Sequence, residues 1–369
     1  MFSVGRPVTG RSFFDRSKMV KKLVAFIDDG QDVMVKAPRR YGKTSLIKQA
    51  FKVSKKEHIY VDLRRERSLS SAAEKIVDRA YERAGMKGFA AGLKKSVVDL
   101  LGRAEKELSI DLGIVKGSVK LFEQSGEMGE EEQLAAALDN VFELAKELGV
   151  RLYIVFDEFQ DIGRFGVSKD RVLDTLRGTI QHHGESVNYY FLGSIETIMS
   201  EIFENRKSPF YNYCRRLTLE PFEIEEIKKD LIAAFRRKKI VFEDEGALEE
   251  TLRKLCGHPA NTMVVMQNLY YIALEKDIKS IGPKDLKRAY RDGYDEVLDL
   301  IEEYIGEIKA RKHHHDVIYR LANSIPQELK GPALRQVFRG LENMGHITRT
   351  GRGEYRINDG YLIEYLREK

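Results

Sequence analysis

Ala37-Pro38-Arg39-Arg40-Tyr41-Gly42-Lys43-Thr44-Ser45 follows the apolar run Val33-Met34-Val35-Lys36 and precedes Leu46, Ile47, Ala50 and Phe51 at helical spacing. A strand that turns through such a stretch into a helix sets consecutive backbone N–H groups at the positive end of the helix, where anions bind. The run fits G-x-x-x-x-G-K-[ST] with Ala37 in place of the first glycine. In that pattern Lys43 reaches the β- and γ-phosphate oxygens of a nucleotide, and the Thr44 hydroxyl serves Mg2+. Alanine stays small but gives up easy access to positive φ, so the loop must enter with angles that alanine tolerates. Most phosphate contacts come from the later amides, so nucleotide binding is expected to survive the exchange.

A second signature points the same way. Leu152-Tyr153-Ile154-Val155-Phe156 is a continuous apolar run of strand length, as a parallel strand buried on both faces requires, and it ends in Asp157-Glu158. Asp157 is expected to bind Mg2+ through a water beside Thr44, and Glu158 to polarise the water that attacks the γ-phosphate. An Asp-Glu pair alone is more often a solvated turn or a helix N-terminal charge pair; Lys43 and Thr44 give it a chemical purpose.

The 369 residues suffice for two or three domains, and a charged fraction of 33% with net charge +5 permits nucleic-acid binding without arguing for it. Cys214 and Cys256 are the only cysteines and form no C-x-x-C pair, so neither a disulfide framework nor structural zinc is expected. Without a signal-like start or a long apolar run, the reading is a soluble cytoplasmic protein with no membrane partner. His313-His314-His315 is read as a solvated helix start, because three consecutive helical side chains point in different directions.

Strand-like runs at 33–36, 59–63, 152–156, 188–193 and 217–219 alternate with helical stretches, which predicts an α/β domain with a parallel sheet and helices on both faces. Helices are expected over 70–84 and 133–148, a small hairpin within 109–121, and a mobile acidic stretch over 124–132. From Pro221 onward the pattern is helical: 224–239, 245–256, 260–276 and 283–308, the last interrupted near Gly293. Near the end, Leu334, Val337, Phe338, Leu341 and Met344 form a helical stripe, followed by two short strands around Gly351-Arg352-Gly353. That order suggests a winged helix, with Arg335, Gln336, Arg339 and Asn343 on its polar helix face and Arg349, Arg352 and Arg356 on the wing. Charge over 313–369 is nearly balanced, so contact with duplex DNA and contact with a protein both stay open.

The ordered set of motifs resembles the archaeal-type ATPases of the signal-transduction (STAND) branch of P-loop NTPases, relatives of the AAA+ proteins. Its carriers are Phe13-Phe14-Asp15-Arg16, the Pro38–Ser45 loop, Phe156-Asp157-Glu158-Phe159-Gln160, Phe191-Leu192-Gly193-Ser194, Ser208-Pro209-Phe210-Tyr211, Arg215-Arg216-Leu217-Thr218-Leu219, Pro221-Phe222 and Gly257-His258-Pro259. The resemblance implies an ATPase core over 1–221, a helical lid over 222–300 and a winged helix over 301–369. It implies ATP or ADP with Mg2+, and a nucleotide site formed by Phe14, Arg16, Pro38, Arg39, Arg40, Tyr41, Gly42, Lys43, Thr44 and Ser45, with His258 and Pro259 from the lid. Ser194 is then the polar sensor of the γ-phosphate. Arg215 or Arg216, with Arg216 carried as the candidate, is the basic residue at the phosphates. The expected function is slow ATP hydrolysis that sets a molecular switch. The alternative is a DNA-binding factor of replication-initiator or mobile-element type in which nucleotide stabilises the fold. The oligomeric state is left open.

Overall fold

The computed structural model describes residue 2, residues 5–90 and residues 128–368. The hairpin expected within 109–121 lies outside the described residues. The first part of the chain runs α1 (Ser17–Asp28), β1 (Val33–Lys36), α2 (Lys43–Ser54), β2 (Ile59–Asp62), α3 (Leu69–Ala90), α4 (Glu130–Glu147), β3 (Leu152–Asp157), α5 (Lys169–Ile180), β4 (Val187–Gly193), α6 (Glu196–Phe203) and β5 (Arg215–Thr218). The five strands form one parallel sheet in the order β2-β3-β4-β1-β5, close to the strand limits expected from the sequence. β1 sits between β4 and the edge strand β5, and its C-terminal end leads directly into the Ala37–Ser45 loop, where an open α/β sheet places its ligands.

Strand alternation feeds two cores. Val33, Val35, Tyr153, Val155, Tyr190 and Leu192 pack on one face with Leu23 and Ile27 of α1 and Leu46, Ile47 and Phe51 of α2. Met34, Ile154, Phe156, Tyr189 and Phe191 pack on the other with α3, α4 and α5. The period-two pattern of each strand thus explains why helices cover both faces. The acidic stretch expected to be mobile is ordered where it is described. Glu130, Glu131 and Glu132 form the first turn of α4, where carboxylates complement the helix dipole, and the Gly129 N–H donates to Glu132 at 3.0 Å.

Beyond the sheet come α7 (Ile224–Arg236), β6 (Val241–Phe242), α8 (Glu245–Lys254), α9 (Pro259–Glu275), β7 (Ser280–Ile281), α10 (Pro283–Lys309), α11 (His314–Ala322), α12 (Gly331–Asn343), β8 (Ile347–Gly351), β9 (Glu354–Ile357) and α13 (Gly360–Glu368). α10 runs through Gly293 without the expected break. A Cβ there would stand 2.7 Å from the Tyr361 hydroxyl and 3.3 Å from Val264 and Val265, so the glycine permits close helix packing. The same helix crosses residue 300, where a domain boundary was expected, and one apolar cluster joins Leu231, Val265, Ile301, Leu341 and Tyr361. No helix among the described residues is long and apolar enough to cross a membrane.

Candidate functional site

A pocket of about 340 Å³ opens at the C-terminal edge of the sheet, lined by Phe13, Phe14, Arg16, Arg40–Ser45, Glu158, Pro259, Ala260 and Met263. The loop's left-handed residues are Arg40 (φ +65°) and Gly42 (φ +86°). Ala37 is not one of them; it is buried and its N–H donates to the Gly193 carbonyl at 3.3 Å. The missing first glycine therefore imposes no backbone strain, because the turn needs positive φ further along. Gly42 caps α2, and Lys43 Nζ lies 3.3 Å from the Ala37 carbonyl and 3.4 Å from that of Pro38. Ser45 Oγ accepts the Val8 N–H at 3.1 Å and Gln49 accepts that of Gly10 at 2.7 Å, which folds the N-terminal segment over α2 as one pocket wall.

Asp157 ends β3 and Glu158 follows it in a left-handed conformation (φ +52°). Asp157 Oδ2 accepts the Thr44 hydroxyl at 2.6 Å and also the hydroxyl of Tyr60. Tyr60 lies on β2, and the Asp62–Asp157 register brings that strand's end beside β3. Burial, followed by Asp157, pushes the Tyr60 hydroxyl and the Asp62 carboxyl up from their ordinary pKa ranges. No motif pointed to Tyr60; an aromatic hydroxyl one turn of pleat before a strand end is the only signal the sequence offers. Glu158 is drawn two ways: burial raises its pKa, while Lys43 and hydrogen bonds from Ser194 and Gln160 outweigh this and hold it below the usual range. The Thr44 hydroxyl and Asp157 carboxylate are hard oxygen donors on one spot, a set suited to Mg2+.

The remaining sequence candidates divide: Arg16 and Phe14 line the pocket and also brace its wall, while the others stand elsewhere. Arg16 is almost fully buried and acts as a strut: Nη2 donates to the Tyr41 carbonyl at 3.1 Å and the Glu220 carbonyl at 3.0 Å, and its guanidinium lies 5.2 Å from the Phe222 ring centre. Burial lowers its pKa to about 10. Phe14 stacks on Phe2. Pro38, Arg39 and His258 face away from the pocket into a cavity of about 20 Å³, shared with Tyr41, Tyr304, His346, Asn358 and Asp359. His258 caps α9, accepting the Asn261 N–H at 3.3 Å, while its neighbour Pro259 lines the nucleotide-sized pocket. The strand pair sits on the edge: Arg215 Nε donates to Gln31 at 3.1 Å, and Arg216, level with Met34, donates to Asn212. Neither lines the pocket. Among the described residues no cluster of His, Cys, Asp or Glu has the geometry to hold a metal ion, and His314 Nδ1 lies 2.9 Å from the Lys312 carbonyl.

The C-terminal elements rest directly on this site. Tyr41 is buried, its hydroxyl donates to the Asn358 carbonyl at 3.1 Å, and its ring meets the His258 ring edge-on at 5.1 Å. The polar face of α12 is turned partly to the core: Arg339 pairs with Glu201 and Asn343 accepts the Thr197 hydroxyl. Arg356 lies 3.6 Å from Glu220, whereas Arg335, Gln336 and Arg352 are exposed.

Among solved structures, the Walker-type ATPase of Pyrococcus abyssi is similar with a TM-score of 0.70 at 17% identity, over 99% of both chains. The ORC2 protein of Aeropyrum pernix, solved in ADPNP–ADP complexes, gives 0.59 at 14% identity over 96% of this chain and 93% of that one. At such identities the likeness is one of fold: a P-loop NTPase sheet with its surrounding helices. No protein of curated function matches the sequence. Residues 13–263 match the model of an ATPase domain predominantly from Archaea, a span that takes in the phosphate loop, the Asp157-Glu158 strand end and the Pro259 wall. The chain belongs to that family of archaeal ATPase domains.

Proposed function

We propose that this ATPase is a slow, nucleotide-controlled switch of the signal-transduction branch, whose C-terminal winged helix senses the state of the phosphate loop. The observation that carries the reading is the Tyr41–Asn358 hydrogen bond: a residue inside the phosphate loop holds the C-terminal module. ATP or ADP would lie in the pocket between the loop and Phe13, Phe14 and Pro259, with its phosphates on the amides before α2. Lys43 would neutralise the β- and γ-oxygens. Thr44 and Asp157 would hold Mg2+, which offsets phosphate charge when bound. Glu158 would take a proton from the attacking water, and Ser194, at the end of β4, would stand beside the transferred phosphoryl group. Arg216, on the sheet edge and outside its own chain's pocket, is proposed to serve the site of a neighbouring molecule.

Phosphate release from ATP with Mg2+ tests the chemistry. Glu158→Gln should keep ATP binding by calorimetry and lose turnover; unchanged turnover removes Glu158 from its role. Hydrogen exchange at Asn358 in the ATP and ADP states tests the switch, and identical exchange in the two states refutes it.

A second reading, a DNA-binding factor, draws support from the groove in which Arg335, Arg349 and Arg352 stand together beside α12. Charge reversal at Arg335 and Arg352 should then lower affinity for duplex DNA and flatten its salt dependence. If affinity and salt slope stay as they were, that reading fails.

A further inference from the structure

Gln160 lies in the short turn Phe159–Gly163 after the acidic pair and is buried. Its Nε2 donates to Glu158 Oε2 at 2.5 Å and to Ser194 Oγ at 3.3 Å, while its Oε1 accepts the Ser194 N–H at 3.1 Å. Ser194 Oγ in turn donates to the same Glu158 Oε2 at 2.5 Å. Three side chains thus close a ring across the ends of β3 and β4, which are neighbours in the sheet. The amide has one admissible orientation. A backbone N–H can only donate, so Oε1 must face Ser194 N, and Nε2 is left for the carboxylate and the hydroxyl. The seat also depends on Gly193, where a Cβ would lie 2.8 Å from Gln160 Oε1 and 2.3 Å from Met199.

The ring fixes how Glu158 can act. Glu158 lines the nucleotide-sized pocket, one of its oxygens is held by two donors, and Oε1 is the oxygen outside the ring. We propose that Gln160 is a positioning residue for ATP hydrolysis: it locks the Glu158 carboxylate against Ser194, so that Oε1 faces the attacking water. This rests on Glu158 being the base. It also makes Ser194 and Glu158 move as a unit, because one amide grips both. A displacement of Ser194 by the γ-phosphate is therefore passed to the base without any contact between Gln160 and nucleotide.

The test uses the full chain with ATP and Mg2+, following phosphate release, ATP affinity by calorimetry and the thermal unfolding midpoint. Gln160→Met keeps length and packing and removes every hydrogen bond; Gln160→Leu removes them too with a branched apolar side chain. Both should lower kcat about tenfold or more, a part of the ~10²–10⁴ that a positioned base supplies, with KM and ATP affinity within about twofold of wild type. Combining Gln160→Met with Ser194→Ala should cost less than the product of the single losses, because both act on the same carboxylate oxygen. Wild-type kcat in Gln160→Met, or a loss matched by equal losses of ATP affinity and unfolding midpoint, overturns the inference. Glu158→Gln separates the two levels. If Glu158→Gln is inactive while Gln160→Met and Gln160→Leu turn over normally, the Gln160 role alone falls; if Glu158→Gln turns over normally, the base falls and this inference with it.

Discussion

Replacing Tyr41 with Phe removes one oxygen and leaves the ring against His258. That oxygen donates to the Asn358 carbonyl at 3.1 Å in a buried setting. A buried carbonyl deprived of its donor costs about 1–3 kcal/mol, which is about a 5- to 150-fold shift in the equilibrium between docked and undocked C-terminal module. The Asn358 N–H donates to the His346 carbonyl at 2.9 Å and its side chain to the Gly345 carbonyl at 3.0 Å, bonds inside the module that become open to water when it undocks from the loop. Amide exchange at Asn358 should therefore speed up by at least about fivefold in Tyr41→Phe, if opening is fast relative to chemical exchange. Sheet amides such as Val155, which the contact does not touch, should exchange at wild-type rates. Since Tyr41 sits in the phosphate loop, ATP should slow Asn358 exchange in wild type and do so less in the variant. Exchange at Asn358 within twofold of wild type, with and without ATP, would refute the claim that Tyr41 links loop and module.

Further outcomes follow from other contacts. Lys43→Ala should weaken ATP binding by about tenfold or more and abolish phosphate release, measured by calorimetry and a phosphate assay. His258 and His346 are buried, and burial holds both near a pKa of about 4; Asp359 opposes this at both, while Arg40 adds to it at His258 and Arg39 at His346. Their folded pKa values lie below the unfolded value of about 6.5, so stability is complete above that pH and is lost as pH falls through 6.5 toward 4. Each should cost about 2 kcal/mol by pH 5, and urea unfolding of a His258→Gln, His346→Gln double variant should show a flatter pH dependence than wild type. Gly293→Ala should destabilise by about 1–3 kcal/mol, because its Cβ would meet Tyr361 and two valines; a denaturation midpoint equal to wild type would show that α10 can shift aside.

The legible part of this molecule was local. A strand, a loop with Gly-Lys-Thr and a helix follow one another in sequence, so their chemistry could be read from adjacent residues, and so could the acidic end of β3. Tyr60 and Gln160 escaped because what makes them matter is register: Tyr60 reaches Asp157 only when β2 pairs with β3, and Gln160 reaches Ser194 only when β4 lies on the other side. Arg16 lines the nucleotide-sized pocket, as motif order implied, yet its guanidinium is also committed to two backbone carbonyls, a use that no residue pattern encodes. The helix break at Gly293 was inferred from propensity, and tertiary packing reversed the sign: the residue that weakens an isolated helix is the one that lets this helix approach Tyr361.

One consequence concerns the phosphate loop itself. Phosphates are held largely by backbone amides, which leaves the side chains at the variable positions of the loop available for a second use. In this chain they also serve the other side: Arg39 and Tyr41 line the small cavity with His346, Asn358 and Asp359, and Arg40, which also lines the nucleotide-sized pocket, engages Tyr304. The same few residues therefore present two surfaces, amides toward the ligand and side chains toward the C-terminal module. Any change in loop backbone between ligand states has to move those side chains, of which Tyr41 is buried and Arg39 and Arg40 are half-buried. Coupling of this kind needs no long relay, since donor and receiver are the two sides of one loop.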